Sequence, residues 1–371
     1  MKRTSKTQQQ RLHRKVSKLT WKFYVSLGLW RYNSKTMKTD RSNILTCLRN
    51  SEDYVSGQQL CDRLGVSRTA VWKVINQLKE EGYRIESVSR KGYRLVESPE
   101  DVYSRSEIVS RLHTKWAGQN LHFFEETGST NPDAKRFAEE GEPHGTTVVA
   151  ERQTAGRGRR GRSWVSPAGK SVYFTIVVRP KFAPDKASMI TLVMALSVAE
   201  AIQEATGLPA GIKWPNDIVV NGKKVVGILT ELSMTPEMNE IQFLVAGVGV
   251  NVNQESAEEF PEEIRETATS LKIESGRHIA RAALLERILA RFEDNYEIFE
   301  RSLDLSALKE RYELCLIGRN TGVRVLDPAG EYTGISRGIN ETGELIVEKE
   351  NGETVLVYAG EVSVRGLYGY T

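Results

Sequence analysis

Apolar positions recur at helical spacing through the first ordered part of the chain. Residues 42–50 place Ile44, Leu45 and Leu48 on one side, and the stretch from Ser67 puts Val71, Val74, Ile75 and Leu78 in one stripe. Between them Ser56, with Gln59 three residues on, forms a capping-box signature, and Gly65 offers a left-handed stop. Ser67 caps the next helix and Gly82 ends it. Two short helices around a glycine turn predict a helix-turn-helix, with the helix from Ser67 placed to enter a major groove. The period then changes. Residues 83–88 and 93–96 read as two strands joined through Ser89-Arg90-Lys91-Gly92, a wing with a cationic tip. Ser67, Arg68, Thr69, Trp72 and Lys73 lie at the start of the third helix or off its stripe, and with Arg90 and Lys91 they are the candidate DNA contacts. Residues 56–98 carry eight Lys/Arg against five Asp/Glu, which suits a phosphate backbone. A winged helix used only for protein contacts is the competing use.

After Ser98-Pro99-Glu100-Asp101 the pattern becomes mixed α/β. Residues 121–125 predict a strand, and Gly128-Ser129-Thr130-Asn131-Pro132 leads into a helix over 134–140, with Asn131 as cap and Pro132 at the first position. Strands are expected over 146–150 and 171–178, and a buried helix over 189–205. Asn221-Gly222 between 217–220 and 224–229 is a hairpin signal. Residues 245–253 alternate strictly. Val248, Val250 and Val252 share one face, and Gly247, Gly249, Asn251 and Asn253 the other. A strand face of glycines lets a flat ring lie against backbone, although no helix follows at the spacing of a dinucleotide fingerprint.

Candidate chemistry concentrates before and within this region. Gly156-Arg157-Gly158-Arg159-Arg160-Gly161-Arg162-Ser163-Trp164 sets four arginines among three glycines. Such a run is neither core nor regular helix or strand, because arginine is seldom buried unpaired and glycine interrupts each turn. It reads as a mobile cationic loop with two open uses. It is either a solvated basic or nucleic-acid patch, or a set of guanidinium forks closing on a phosphate or carboxylate. Lys213, in Lys213-Trp214-Pro215-Asn216-Asp217, precedes the hairpin, where a rigid sheet can hold a charge at a fixed point. The hydroxyls and amide of Ser129, Thr130 and Asn131 suit either helix capping or a polar ligand headgroup.

Charge and cysteine content narrow the setting. The 52 Lys/Arg and 48 Asp/Glu give +4, but eleven of the basic residues and none of the acidic ones lie in residues 1–39. The rest of the chain therefore sums to −7. That basic segment reads as disordered or as preceding a translation start at Met37, with nucleic-acid or anionic-lipid binding as the alternative. Apolar content of 39% supports real cores. Cys47, Cys61 and Cys315 are odd in number, lie far apart and form no C-x-x-C pair, as in a reducing cytoplasm. The apolar stretch 190–202 is interrupted by Thr191, Ser197 and Glu200 and is too short to span a bilayer, so no membrane partner is expected.

Five motifs in order resemble the biotin–protein ligases: S-T-N at 129–131, G-R-G-R-R-G-R-x-W at 156–164, K-W-P-N-D at 213–217, G-I-L-x-E at 227–231 and G-V-G-V-N-V-N at 247–253. With a winged helix in front, the resemblance is to the bifunctional bacterial members that also repress transcription, and it covers about residues 40–371. It implies a multidomain α+β chain. Its parts are a basic tail over 1–39, a winged helix over 40–98, a catalytic domain resembling class II synthetases over 99–318 and an SH3-like β-barrel over 319–371. For that barrel, Val323, Val325, residues 344–347, 355–357 and 362–364 are the expected strands. The activity implied is ATP- and Mg²⁺-dependent formation of biotinyl-5′-AMP, then transfer of biotin to a lysine of a carboxyl carrier protein. Operator DNA is the implied second partner, bound by an adenylate-loaded homodimer. Ser129, Thr130, Asn131, Gln153, Arg157, Gly158, Arg159 and Lys213 are carried over to biotin. Arg157, Arg159, Arg160, Arg162, Trp164, Lys224 and Asn251 are carried over to the nucleotide. Arg159 and Lys213 are the catalytic candidates, and no residue is assigned to the metal. A biotin sensor without turnover and a lipoate-type ligase are the competing functions, although the related lipoate ligases lack the arginine-glycine loop.

Overall fold

The computed structural model describes residues 41–235, 240–327, 330–359 and 363–366. The basic segment 1–39 and the strand position Val362 lie outside the described residues. The first three helices, α1 (Arg41–Arg49), α2 (Gly57–Leu64) and α3 (Arg68–Glu80), enclose a small core of Ile44, Leu45, Leu60, Val71, Ile75 and Leu78. The capping box forms in both directions: Gln59 N–H donates to Ser56 Oγ at 3.1 Å and Ser56 N–H to Gln59 Oε1 at 2.8 Å. Gly65 closes α2 with φ of 67°, and Ser67 Oγ caps α3 by accepting from Ala70 N–H. Strands β1 (Arg84–Val88) and β2 (Gly92–Glu97) form the antiparallel wing. Val55 pairs with Tyr93 through two backbone hydrogen bonds, which ties the wing to the α1–α2 connection.

Helix α4 (Arg105–Arg111), which sequence periodicity did not single out, carries the winged helix on the rest of the chain. Its Glu107 is only 1% exposed, yet its carboxylate is fully met. It accepts from Arg49 Nη2 at 2.9 Å and Arg111 Nε at 2.7 Å, and from the Tyr83 hydroxyl at 2.7 Å. Burial, first, and the bond to Glu107 push the Tyr83 phenol far above its ordinary range.

The central domain is built on a seven-stranded sheet. In chain order its strands are β3 (Leu121–Thr127), β4 (Thr147–Gln153), β5 (Ser171–Val178), β6 (Gly211–Lys213), β7 (Asp217–Val220), β8 (Lys223–Thr235) and β9 (Glu240–Asn251). Their order across the sheet is β3-β4-β5-β9-β8-β7-β6, with β3 and β4 parallel and the remaining pairs antiparallel. The parallel pair needs a crossover, which α5 (Thr130–Glu139) supplies. The β7–β8 turn is Asn221-Gly222 with φ of 48° and 77°, both residues left-handed as a tight hairpin demands. Strand β8 runs on to Thr235, well past the expected end.

Alternation decides which side of the sheet is core. Val172, Phe174, Ile176, Val248 and Val250 point to one side and are covered by α6 (Met189–Thr206) and, after the short α7 (Leu271–Ser275), by α8 (Arg281–Ser302). The segment Pro184–Thr206 is apolar and long enough to cross a membrane by composition, but most of it is buried in this core. On the other side, Val177, Phe243 and Val245 meet Ala134 and Ala138 of α5. Beyond α5 that side turns to glycine.

Helix α9 (Lys309–Cys315) leads to a five-stranded antiparallel sheet. Its strands are β10 (Gly322–Leu326), β11 (Tyr332–Ile339), β12 (Leu345–Glu348), β13 (Thr354–Val357) and β14 (Ser363–Gly366), in the order β13-β12-β11-β10-β14. Val323, Val325, Leu345, Val347 and Val357 join the same core as the central sheet, so the two pack as one body. Trp214 fastens them: its indole N–H donates to Gly343 O at 3.0 Å. The expected multidomain α+β architecture is thus seen in all three of its folded parts.

The Glu107 cluster yields one prediction. Glu107→Ala leaves the half-buried Arg49 and Arg111 unpaired, and removing one partner of such a buried ionic cluster costs about 3–5 kcal/mol. Urea unfolding followed by hydrogen exchange over residues 41–111 should show that loss there. Wild-type protection in that segment would refute it.

Candidate active site on the glycine face

The uncovered side of β8 and β9 is made of Gly227, Gly247 and Gly249. A Cβ at Gly249 would lie 2.6 Å from the Trp164 ring nitrogen, and one at Gly227 2.7 Å from the same ring. A Cβ at Gly247 would fall inside the Asn131 carboxamide. The glycine face expected from the sequence therefore does receive a flat ring, and that ring is the chain's own tryptophan. Beside it opens a cleft with about 460 Å³ of empty space, part of it open to solvent, lined by Ser129, Thr130, Asn131, Gln153, Arg157, Gly158, Arg159, Trp164, Asn216 and Lys224 together with the glycines.

One end of the cavity is neutral and polar. Helix α5 begins at Thr130 with Ser129 as its N-cap, two residues earlier than expected, and Ser129 makes no side-chain cap bond. Gln153 takes that role from the neighbouring strand: its Oε1 accepts the Thr130 N–H at 2.9 Å. Asn131 is therefore released from capping, and Pro132 sits in the first turn, where its missing N–H costs nothing. The Asn131 amide reaches across the sheet instead. Nδ2 donates to Glu231 Oε2 at 2.7 Å and to Leu229 O at 3.2 Å, and Oδ1 accepts from Thr175 Oγ1 at 2.6 Å. On the far side Gln153 Nε2 donates to Ser166 Oγ, which donates to Trp164 O.

The other end is cationic. Where glycine content led to the expectation of a mobile run, the structure describes a closed turn. Gly158 N–H donates to Arg162 O at 2.8 Å, Arg157 pairs with Ser163, and Arg160 takes the left-handed conformation at φ 57°. Arg159 Nη1 donates to Asn216 Oδ1 at 2.8 Å, and Asn216 in turn donates to Ile228 O. Lys224 Nζ lies 2.7 Å from Asp217 Oδ1 and stands 5.4 Å from the Trp164 ring centroid. Burial lowers the Arg159 pKa, with Asp217 opposing and Arg160 adding to the effect.

Several candidates fall elsewhere. Lys213 lines an adjacent small cavity between the central and C-terminal sheets, shared with Arg365 of β14. Burial, first, brings its pKa down to about 8. Asp217 opposes this, while Lys224, Arg365 and Arg162 repel its charge. Asn251 does not line the glycine-face cavity. It is buried, and its amide donates to Thr269 O at 3.1 Å, bracing the chain after β9. Arg160 and Arg162 are exposed on the turn rather than set in the cavity wall. In the winged helix Ser67 is occupied as the α3 cap, whereas Thr69, Lys73, Arg90 and Arg68 are exposed and Trp72 is 59% exposed. Lys91 is exposed and stands over the Tyr54 ring.

Sequence reasoning passed over Thr175, Asn216 and Arg365 as site residues and left the Glu231 of the G-I-L-x-E motif without a role. Only that motif and the Asn216 of K-W-P-N-D signalled them in advance. The fit at Gly247 gives a prediction. Gly247→Ala forces the Asn131 amide aside, and such overpacking costs about 1–3 kcal/mol. In an Asn131→Ala background the same change should cost little. Equal losses of melting temperature in both backgrounds would contradict the contact.

Comparison with known proteins places the chain in a family. The sequence profile of the biotin/lipoate A/B protein ligase family matches residues 123–251, a helix-turn-helix domain profile residues 40–94, and the biotin protein ligase C-terminal domain residues 318–365. The bifunctional ligase/repressor BirA of Bacillus subtilis is 41% identical over 300 residues, 81% of this chain and 91% of that protein. Its Escherichia coli namesake is 31% identical over 323 residues, covering 87% and 96% of the two chains. The structure of an Aquifex aeolicus biotin protein ligase in complex with biotin and ATP superposes with a TM-score of 0.58 at 35% identity. It covers 67% of this chain and 99% of its own.

Proposed function

The chain belongs to the biotin protein ligases, in the group that carries a DNA-binding helix-turn-helix domain, and we propose its function and site on that premise. It is an ATP-dependent biotin–protein ligase and a biotin-responsive transcriptional repressor. The acceptor we assign to it is a lysine of a biotin carboxyl carrier protein, and the setting a cytoplasm. The observation that supports the site assignment is the polarity of the glycine-face cavity, with a neutral hydrogen-bonding end at Thr130, Asn131 and Gln153 and a cationic end at Arg157, Arg159 and Lys224. A cyclic urea suits the first end and a carboxylate meeting a phosphate suits the second.

The chemistry follows from charge. The biotin carboxylate attacks the α-phosphorus of ATP, pyrophosphate leaves, and an acceptor amine then attacks the carbonyl of biotinyl-5′-AMP, releasing AMP. The first step drives an anion onto a polyanion. One such pair at about 4 Å repels by roughly 1 kcal/mol in water and about 4 kcal/mol at an effective dielectric near 20. Arg157, Arg159 and Lys224 offset this from the cavity side, and Lys213 with Arg365 from the adjacent cavity, to which we assign the outer phosphates. The enzyme supplies no covalent nucleophile. Asp217 is held against Lys224 and so orients that ammonium rather than serving as a free base. Mg²⁺ is assigned to the phosphates of ATP, where it keeps several waters and needs no dedicated protein cage.

The direct test is mass-spectrometric detection of biotinyl-5′-AMP after mixing the protein with biotin and Mg-ATP; its absence would refute the ligase reading. Lys213 adds a pH signature. A lysine near pKa 8 is charged below that pH and loses its charge as pH rises through it, whereas an ordinary lysine stays charged to above 10. Adenylation kcat/KM for ATP should therefore fall by about tenfold per pH unit above pH 8. Lys213→Ala should be slower at neutral pH and lack this limb. A flat wild-type profile up to about pH 9.5 would remove Lys213 from the reaction.

Repression is proposed to follow from the adenylate. Arg157 and Arg159 line the cavity while Arg160 and Arg162 are exposed on the same closed turn, so a phosphate held by the first pair favours one arrangement of the second, which can join a dimer surface. Two winged helices on a two-fold axis then meet half-sites spaced by whole turns of DNA. Sedimentation velocity should show more dimer with biotinyl-5′-AMP than with biotin or no ligand. Equal dimer fractions in all three samples would end ligand-gated repression and leave the ligase reading intact.

A further inference from the structure

Glu231 lies on β8 behind the wall of the cavity, outside its lining, and its side chain is one-third exposed. Its two oxygens are both used. Oε1 accepts from Lys135 Nζ at 2.6 Å, and Oε2 accepts from Asn131 Nδ2 at 2.7 Å. Burial works against its charge, but the bonds from Lys135 and Asn131, with the charges of Lys135 and Arg157, hold its pKa below the ordinary carboxylate value. An ionised carboxylate can only accept. So can Leu229 O, the second partner of the same amide nitrogen. The Asn131 amide therefore has one permitted orientation, with both N–H groups turned away from the headgroup end and Oδ1 turned toward Thr175.

The consequence runs along the wall. Thr175 Oγ1 donates to Asn131 Oδ1 and lies 2.7 Å from Thr130 Oγ1. Gln153 Oε1 is fixed in the same sense by the Thr130 N–H, which can only donate. Oδ1 of Asn131 has a second lone pair, and the hydroxyl of Thr130 and Oε1 of Gln153 add further accepting capacity. The headgroup end thus offers several acceptors side by side. Two N–H groups of a cyclic urea match that set, while a dithiolane, with no N–H, gains nothing from it. If the Asn131 amide were free to rotate, the wall would lose this polarity half the time and leave buried donors facing donors, a costly mismatch.

We infer that Glu231 is a positioning and specificity residue, which locks the Asn131 amide so that the cavity presents hydrogen-bond acceptors and selects acids whose headgroup carries urea N–H donors. The inference rests on the biotin-ligase reading and deepens it. Glu231 itself touches neither substrate nor reacting atoms. It acts through Asn131 alone, and this makes its effect separable.

The experiment measures biotinyl-5′-AMP formation by the full chain carrying Glu231→Leu, Glu231→Gln, Asn131→Ala, or the Leu and Ala changes together. Thermal melting checks folding, and Glu231→Ala replaces the leucine variant if that one does not fold. Glu231→Leu should raise the KM for biotin by about 10- to 100-fold, as expected for a lost charged hydrogen bond, with kcat and the KM for ATP within about twofold. Glu231→Gln keeps a carbonyl acceptor for Asn131 and should recover most of the loss. The double variant should be no worse than Asn131→Ala. As competitors, desthiobiotin, which retains the urea, should weaken with biotin, and lipoic acid should not change. An unchanged biotin KM, losses that add in the double variant, or equal losses for lipoic acid would overturn the inference. No adenylate from wild-type protein and biotin would instead overturn the ligase reading.

Discussion

A single sheet with two incompatible faces underlies this protein. Strand β9 sends Val248 and Val250 into a core covered by α6 and α8, and sends Gly247 and Gly249 the opposite way. Because side chains alternate with period two, these assignments cannot be changed one at a time: a slip of one residue would bury glycines and expose valines. The apolar face fixes the register, and the register fixes the bare face. Everything in the cavity depends on that. Trp164 lies on Gly227 and Gly249 because no Cβ stands between, and the Asn131 amide lies on Gly247 for the same reason.

Upon this floor the chain builds two unlike ends from distant segments. The neutral end is held by hydrogen bonds whose directions are set at both extremities, by the Glu231 carboxylate and by the Thr130 N–H. Such a network is worth more when every member is satisfied, and each of its partners is. The cationic end is held by Arg159 with Asn216 and by Lys224 with Asp217, among other contacts. These pairs keep the charges in place without neutralising them all. Burial first, and after it the repulsion from Lys224, Arg365 and Arg162, lowers the Lys213 pKa, with Asp217 opposing. On the proposed function, an incoming phosphate would relieve that repulsion as it binds.

Polar contacts also join the winged helix to the ligase body. Arg49 and Tyr83 meet Glu107 on α4, and Arg281 at the start of α8 bridges Asp101 of the connecting segment to Glu151 of β4. Glu151 stands two residues before Gln153, which contacts Thr130. The DNA-reading and ligand-reading parts are therefore connected through buried charges rather than through a slack linker. A buried ion pair contributes little net stability but tolerates only narrow geometries, which suits elements whose mutual arrangement matters.

Much of this was legible in the sequence, and the division follows from what local chemistry can encode. The helix-turn-helix was readable because caps and apolar stripes act over a few residues: Ser56 with Gln59, Gly65, Ser67 and the stripe of Val71, Val74, Ile75 and Leu78 all appear as expected. The hairpin at Asn221-Gly222 and the two faces of β9 were equally local. The motif resemblance also pointed to the residues that line the cavity from Ser129 to Trp164. What the sequence left open were choices between partners far apart along the chain. The local pattern offered Asn131 as a helix cap, and the family resemblance offered Asn251 as a nucleotide contact. Gln153 then took the cap and Thr269 took Asn251. Lys213 read as the fixed charge before the hairpin and Lys224 only as a nucleotide candidate, and the tertiary fold set the first in a cavity with Arg365 and the second over Trp164. A side chain's intrinsic preferences are written in the sequence, but which of several competent partners it meets is decided by the sheet order and register that bring them within 3 Å of each other.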